Sequence, residues 1–63
     1  MEKITLKKAR LNAGLTQEQI RQTTGIARTT LRAWERGDRS IKVSDLLMLC
    51  NLYGVSVYRI KLD

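Results

Sequence analysis

The sequence predicts an all-α domain of four or five short helices. Four glycines, Gly14, Gly25, Gly37 and Gly54, cut the chain into helix-length pieces. Each follows a segment with apolar residues at helical spacing, and glycine just past such a segment is the usual helix stop. No long alternating run is bounded by hairpin signals, so strands are not expected. There is no proline, no low-complexity tract and no internal repeat.

The first helix is expected to end at Ala13, ahead of Gly14. Leu6, Ala9, Arg10 and Ala13 share one face at three- and four-residue spacing, while Lys3, Lys7 and Lys8 lie elsewhere. An arginine inside that inward stripe needs a charged partner, because an unpaired buried charge is very costly.

The second helix opens with Thr16-Gln17-Glu18-Gln19. This reads as a capping box, in which the threonine hydroxyl covers the Gln19 amide and the Gln19 side chain reaches back. Glu18 suits the positive end of the helix. Ile20 is the apolar anchor, with Leu15 as a staple before the cap. Gln17 is placed facing outward, its amide free to bond another group.

Gly25 makes a turn and Ile26 plugs it into the core. The third helix runs from about Arg28 to Glu35. At about 100° per residue, Leu31 and Trp34 define its inward face, with Glu35 on the flank. Trp34 reads as core or core edge. Thr29, Arg32, Ala33 and Arg36 point the other way, and Arg28 stands at the N-terminal end. Glu35 is the natural counterpart of Arg10. A partly buried bridge between them would join the first helix to the third.

Gly37 ends that helix, and the loop Asp38-Arg39-Ser40-Ile41-Lys42 follows. The fourth helix begins between Val43 and Asp45, with Ser44 one candidate cap. Its inward stripe is Leu46, Leu49, Cys50 and Tyr53, with Leu47 adjoining. This is the most apolar part of the chain. Cys50 reads as a small buried hydrophobe and not as a nucleophile. From Val55 to Ile60 the pattern fits a capped short helix or a strand. This tail carries more apolar surface than so small a domain easily buries, and an exposed remainder suits a dimer contact.

The 63 residues form one domain, 1–63, with one cysteine and no histidine. No internal disulfide, zinc site or histidine-based catalysis is available, and no cofactor is expected. There is no clustered carboxylate pair and no phosphate-cradling glycine loop, so an enzyme is not expected. No apolar run approaches the roughly 20 residues of a membrane span. The single thiol fits a reducing, intracellular setting.

Twelve lysines and arginines against six acidic residues leave a net charge of +6. That excess points to a polyanionic partner. Two short helices joined by a tight glycine turn, residues 17 to 36, form a helix-turn-helix unit whose second helix suits the DNA major groove. Arg28 and Arg32 can bond guanine bidentately, Thr29 can bond a base edge or phosphate, and Ala33 can touch a thymine methyl. Arg36 shares that outward face. Arg39 and Lys42 in the following loop are placed to reach flanking phosphates. An ordinary solvated charged face is the alternative reading.

The chain resembles the Cro/CI-type helix-turn-helix family of phage and bacterial repressors, also called the XRE family. The resemblance is carried by Leu6 and Arg10, then Gly14-Leu15-Thr16-Gln17-Glu18 and Ile20, then Gly25-Ile26, Arg28 and Leu31. It continues through Trp34-Glu35-Arg36-Gly37, Leu46-Leu47, Leu49 and Gly54-Val55-Ser56. It implies a compact five-helix, lambda-repressor-like domain with the third helix as recognition helix. It further implies a phosphate contact at Gln17 and base reading by Arg28, Thr29, Arg32 and Ala33. Thr30 becomes a phosphate clamp, and the Arg10–Glu35 bridge matches a pairing of such repressors. Homodimers on palindromic double-stranded DNA operators, in the cytoplasm of a bacterial or phage-infected cell, complete the expectation.

Three departures stand out. Arg21 occupies a position that is usually small, so it must snorkel outward or the helix crossing must shift. Ala27 replaces the usual hydroxyl cap before the third helix. No proline stands near Ile41. The expected function is a small transcriptional regulator. The alternatives are a protein-binding adaptor or antitoxin on the same fold, or the DNA-binding module of a longer regulator.

Overall fold

Residues 2–62 are described in a computed structural model of the chain, and Met1 and Asp63 lie outside them. Four α-helices run through the described residues: α1 (Leu6–Asn12), α2 (Gln17–Thr24), α3 (Arg28–Arg36) and α4 (Val43–Tyr53). Two short strands flank them, β1 (Ile4–Thr5) and β2 (Ile60–Lys61), and a 3-10 turn at Val57–Arg59 leads into β2.

The framework is the expected helical one, but the fifth helix is not formed. Ser56 does cap the tail, its hydroxyl accepting from the Tyr58 N–H at 3.3 Å. The chain then turns extended at Ile60 (φ −83, ψ 131), after one 3-10 turn. The physical reason is burial. As a strand residue Ile60 enters the core and pairs beside Ile4, in a parallel register that also sets Thr5 against Lys61. Strands of two residues are too short to leave a periodic trace in sequence.

The same pairing sets where α1 begins. Thr5 leaves β1 and caps the helix, its Oγ1 accepting from the Lys8 N–H at 3.1 Å. At the other end α1 stops at Asn12, one residue before the expected Ala13. Ala13 is therefore exposed and not part of the inward stripe. Past it, the Leu15 N–H bonds back to the Arg10 carbonyl at 3.2 Å across the turn made by Gly14.

In α2 both halves of the capping box form. Thr16 Oγ1 accepts from the Gln19 N–H at 3.1 Å, and Gln19 Oε1 accepts from the Thr16 N–H at 2.8 Å. Ser44 is not the cap of α4. Lys42 holds that position without a side-chain bond, and Ser44 falls inside the first turn. Burying Leu46 and Leu49 decides the start, because the chain must already be helical at Val43 to deliver them inward.

The core gathers Leu6, Ala9, Ile20, Leu31, Leu46, Leu49, Cys50, Tyr53 and Ile60. Ile20, Leu31 and Leu49 are fully buried, one from each of α2, α3 and α4. Each such side chain contributes on the order of 1.5–3 kcal/mol of transfer free energy. Leu15, Ile26, Trp34 and Ile41 pack as an outer ring. Leu47, expected to adjoin the inward stripe, is about half exposed. The core thus docks α3 by its Leu31 side and leaves its opposite side to solvent.

Candidate nucleic-acid interface

The turn between α2 and α3 is built from local bonds. Gly25 sits at φ 80, which costs a side chain roughly 1–2 kcal/mol, and its N–H bonds the Arg21 carbonyl at 2.8 Å. Thr24 completes the turn. Its hydroxyl donates to the Ile20 carbonyl at 2.7 Å and accepts from the Ile26 N–H at 3.1 Å. That second role of Thr24 was not read from sequence, although a threonine just before a stop glycine is a usable signal.

Beyond the turn, Ala27 caps α3 in extended backbone with no side-chain bond. The leading amides of α3 therefore lack a side-chain acceptor from the cap residue. Helix N-termini of this kind favour anions.

A buried pair fixes the angle of α3. Arg10 Nε donates to Glu35 Oε2 at 2.7 Å, and Arg10 Nη2 donates to Glu35 Oε1 at 3.2 Å. The third arm, Nη1, donates to the Leu15 carbonyl at 2.9 Å. Both side chains are nearly inaccessible, at 7% and 3% exposure. The bond to Glu35 outweighs burial and holds the Arg10 guanidinium above its ordinary pKa. A planar fork against a carboxylate is geometrically specific, so α1 and α3 are locked in orientation as well as position.

Gln17 joins this network. Its Nε2 donates to Glu35 Oε1 at 3.1 Å, so its amide is not free as expected. Glu35, buried beneath the N-terminus of α2, is the strongest acceptor in reach. One amide hydrogen is committed and the second remains, since an amide nitrogen carries two.

On α3, Arg28, Thr29, Arg32 and Arg36 are exposed together. Thr30 and Ala33 are half-buried, so Ala33 does not point fully outward as expected. It lies closer to the flank of the helix.

Arg28 Nη1 stands 4.0 Å from Glu18 Oε1, and Arg36 Nε stands 3.5 Å from Asp38 Oδ2. Both contacts are exposed, and such pairs are worth little. Arg21 does turn outward, where its Nη2 meets Glu18 Oε2 at 2.5 Å. That bond holds the Glu18 carboxyl below its ordinary pKa.

Two hollows flank Glu35. One is an open notch lined by Lys7, Arg10, Gln17, Arg32, Glu35 and Arg36. The other, about 160 Å³, lies between the end of α3, the following loop and the strand pair, and Arg39 is on its wall. That volume is below the roughly 300–1,000 Å³ of usual ligand pockets. The structure therefore groups Gln17, Arg32 and Arg36 but sets Arg39 apart from them. Arg39 and Lys42 are exposed on the loop toward α4. Lys7, expected to lie away from the face that holds Arg10, lines the same hollow as Arg10, because three residues of helix leave the two side chains on neighbouring sides of α1.

A protein family described as helix-turn-helix matches the chain over residues 6–60. No match is found among curated proteins or among solved structures. The matched span begins at the first residue of α1 and ends in β2, so it includes the turn, the buried Arg10–Glu35 fork and the exposed face of α3. The chain belongs to the Cro/CI-type helix-turn-helix family, the XRE family, whose members are in general DNA-binding regulators of transcription.

Proposed function

We propose that this chain is a sequence-specific regulator that binds a palindromic DNA operator as a homodimer. The observation that carries the reading is the outer face of α3, where Arg28, Thr29 and Arg32 are exposed on a helix locked by the Arg10–Glu35 fork. Arg28 and Arg32 bond guanine edges, and Thr29 bonds a base edge or a phosphate. Ala33 offers its methyl to a thymine from the flank. Gln17, with its second amide hydrogen, and Thr30, beside the uncapped start of α3, hold phosphates. Arg36, Arg39 and Lys42 neutralise the flanking backbone.

Two copies place their α3 helices about 34–36 Å apart, one turn of DNA. Apolar surface suited to such pairing is present at Leu52, Tyr58 and Leu62, with Tyr58 at 86% exposure. A reducing cytoplasm fits the free, buried Cys50.

Selection from a random duplex pool at two salt concentrations tests this reading. A palindrome with half-sites about one turn apart is the expected product. Arg28→Ala or Arg32→Ala then costs about 1–3 kcal/mol per lost contact and relaxes preference at one position of each half-site. Weak, salt-sensitive binding with no enriched sequence overturns the proposal. Retained biological function in a variant carrying both Arg28→Ala and Arg32→Ala would instead mark a protein-binding adaptor.

A further inference from the structure

Arg21 turns outward from α2, and what it meets there is Glu18, one turn earlier on the same helix. The contact is a fork. Arg21 Nε donates to Glu18 Oε1 at 2.9 Å and to Oε2 at 3.1 Å, and its Nη2 donates to Oε2 at 2.5 Å. Gln22 Nε2 adds a further bond to Oε2 at 3.3 Å. Among the described residues Oε1 accepts only from Arg21 Nε, and it faces Arg28 Nη1, 4.0 Å away across the turn. Glu18 therefore stands between two arginines, one on its own helix and one at the start of α3.

Neither contact contributes much to stability, since all three side chains are about half exposed. Their weight lies in direction. A carboxylate gripped by a guanidinium fork keeps one orientation. Arg28 is a long side chain, and reading a guanine needs its planar fork in one place. Each terminal nitrogen carries two hydrogens, so Nη1 can turn one to Glu18 and the other to a base. Two arginines around one carboxylate keep a net positive charge, so Glu18 does not cancel the attraction of Arg28 for DNA. Bound DNA also displaces water, and a charge pair strengthens as the local dielectric falls.

We infer that Glu18 is a positioning residue for base reading: pinned by Arg21, it aims Arg28 at its base. This rests on the DNA-binding reading above and deepens it. Preference at one base pair is then set in part by two residues of α2 that make no base contact themselves.

The test uses the full chain, in competition binding against its selected duplex with each base pair of a half-site varied in turn. Arg28→Ala identifies the position that Arg28 reads. Glu18→Gln keeps the side chain's shape and removes its charge. It is expected to lower discrimination at that position about fivefold, the upper end of what an exposed pair yields, and to leave the other positions as they were. Combined with Arg28→Ala it should lower discrimination no further, because the two act through one contact. Arg21→Ala is expected to lower discrimination at the same position and to add nothing to Glu18→Gln. Circular dichroism melting checks that these exposed substitutions leave the fold intact.

Unchanged discrimination in Glu18→Gln at the Arg28 position overturns the inference, even with a rise in overall affinity, because the carboxylate then only competes with DNA for Arg28. A loss spread evenly over all positions overturns it as well. In both cases the DNA-binding reading stands, on the evidence of Arg28→Ala. An Arg21→Ala chain that discriminates as before overturns the part given to Arg21. If no duplex is preferred by any variant or by the unaltered chain, the DNA-binding reading fails and the inference fails with it.

Discussion

Arg10 occupies an inward position beside Leu6 and Ala9, where a lone charge would be untenable. Glu35 makes it tolerable by taking two arms of the guanidinium, and the Leu15 carbonyl takes the third. Breaking such a pair leaves an uncompensated buried charge. Arg10→Met and Glu35→Gln are each expected to lose about 3–5 kcal/mol in urea unfolding. Arg10→Met combined with Glu35→Gln should lose less than the two single losses added, because no charge is then stranded. Simple additivity would show that the two residues are not coupled.

Tyr53 is the opposite case, a buried hydroxyl without a hydrogen-bond partner among the described residues. Burial, aided by the Glu35 charge, pushes its pKa from 10.0 up to about 12. The folded state therefore holds the phenolic proton more tightly than the unfolded chain. That contribution is complete below pH 10 and is lost as pH rises toward 12. Melting midpoints should fall across this window, and Tyr53→Phe should lessen the fall. At neutral pH the same substitution is expected to be neutral or mildly stabilising, since it removes an unpaired polar atom.

At the scale of the element, α3 is the least self-sufficient helix. It has no side-chain cap at Ala27 and its outer face is charged, so it is held by Leu31 and by the fork at Glu35. Ala27→Ser should supply the missing acceptor and raise stability by about 1 kcal/mol, read by chemical denaturation. No gain would mean that the leading amides of α3 are already satisfied. By contrast α4 is apolar on several sides. It buries Leu46, Leu49, Cys50 and Tyr53, yet Val43, Leu47, Met48 and Leu52 stay substantially exposed. A helix that is apolar nearly all round belongs in an interior, and in so small a chain part of α4 must reach the surface.

Across the whole molecule, the first and last described elements meet. The β1–β2 pair ties the start of α1 to the tail beyond α4, so the core is closed by main-chain bonds that neither strand supplies alone. Charge and exposed apolar surface are weighted toward different regions, with Arg59 and Lys61 also in the tail. Arginines and Lys7 gather around α3 and its notch, while exposed apolar side chains concentrate on α4 and the tail. This weighting is what the proposed assembly needs, with one region for DNA and another for a second copy. The expected selection of a palindrome therefore belongs to the molecule and not to any one residue.

Much of this was legible in the sequence because it rests on local chemistry. The four glycines mark helix ends whatever the tertiary context, and each takes a left-handed conformation. Thr16 and Gln19 form their capping box within four residues. The inward stripe of α4 follows from helical spacing alone. Even the long-range fork was readable, since two charges on two apolar stripes leave few other solutions.

What tertiary structure decided are the features that depend on who lies across the gap. Ile60 becomes a strand residue because Ile4 is beside it, and Thr5 becomes a cap because β1 ends there. Gln17 turns to Glu35 because that carboxylate is buried beneath it. Lys7 joins Arg32 and Arg36 only once α1 is laid against α3. Each choice is made by desolvation and proximity between residues far apart in the chain, which local spacing does not encode.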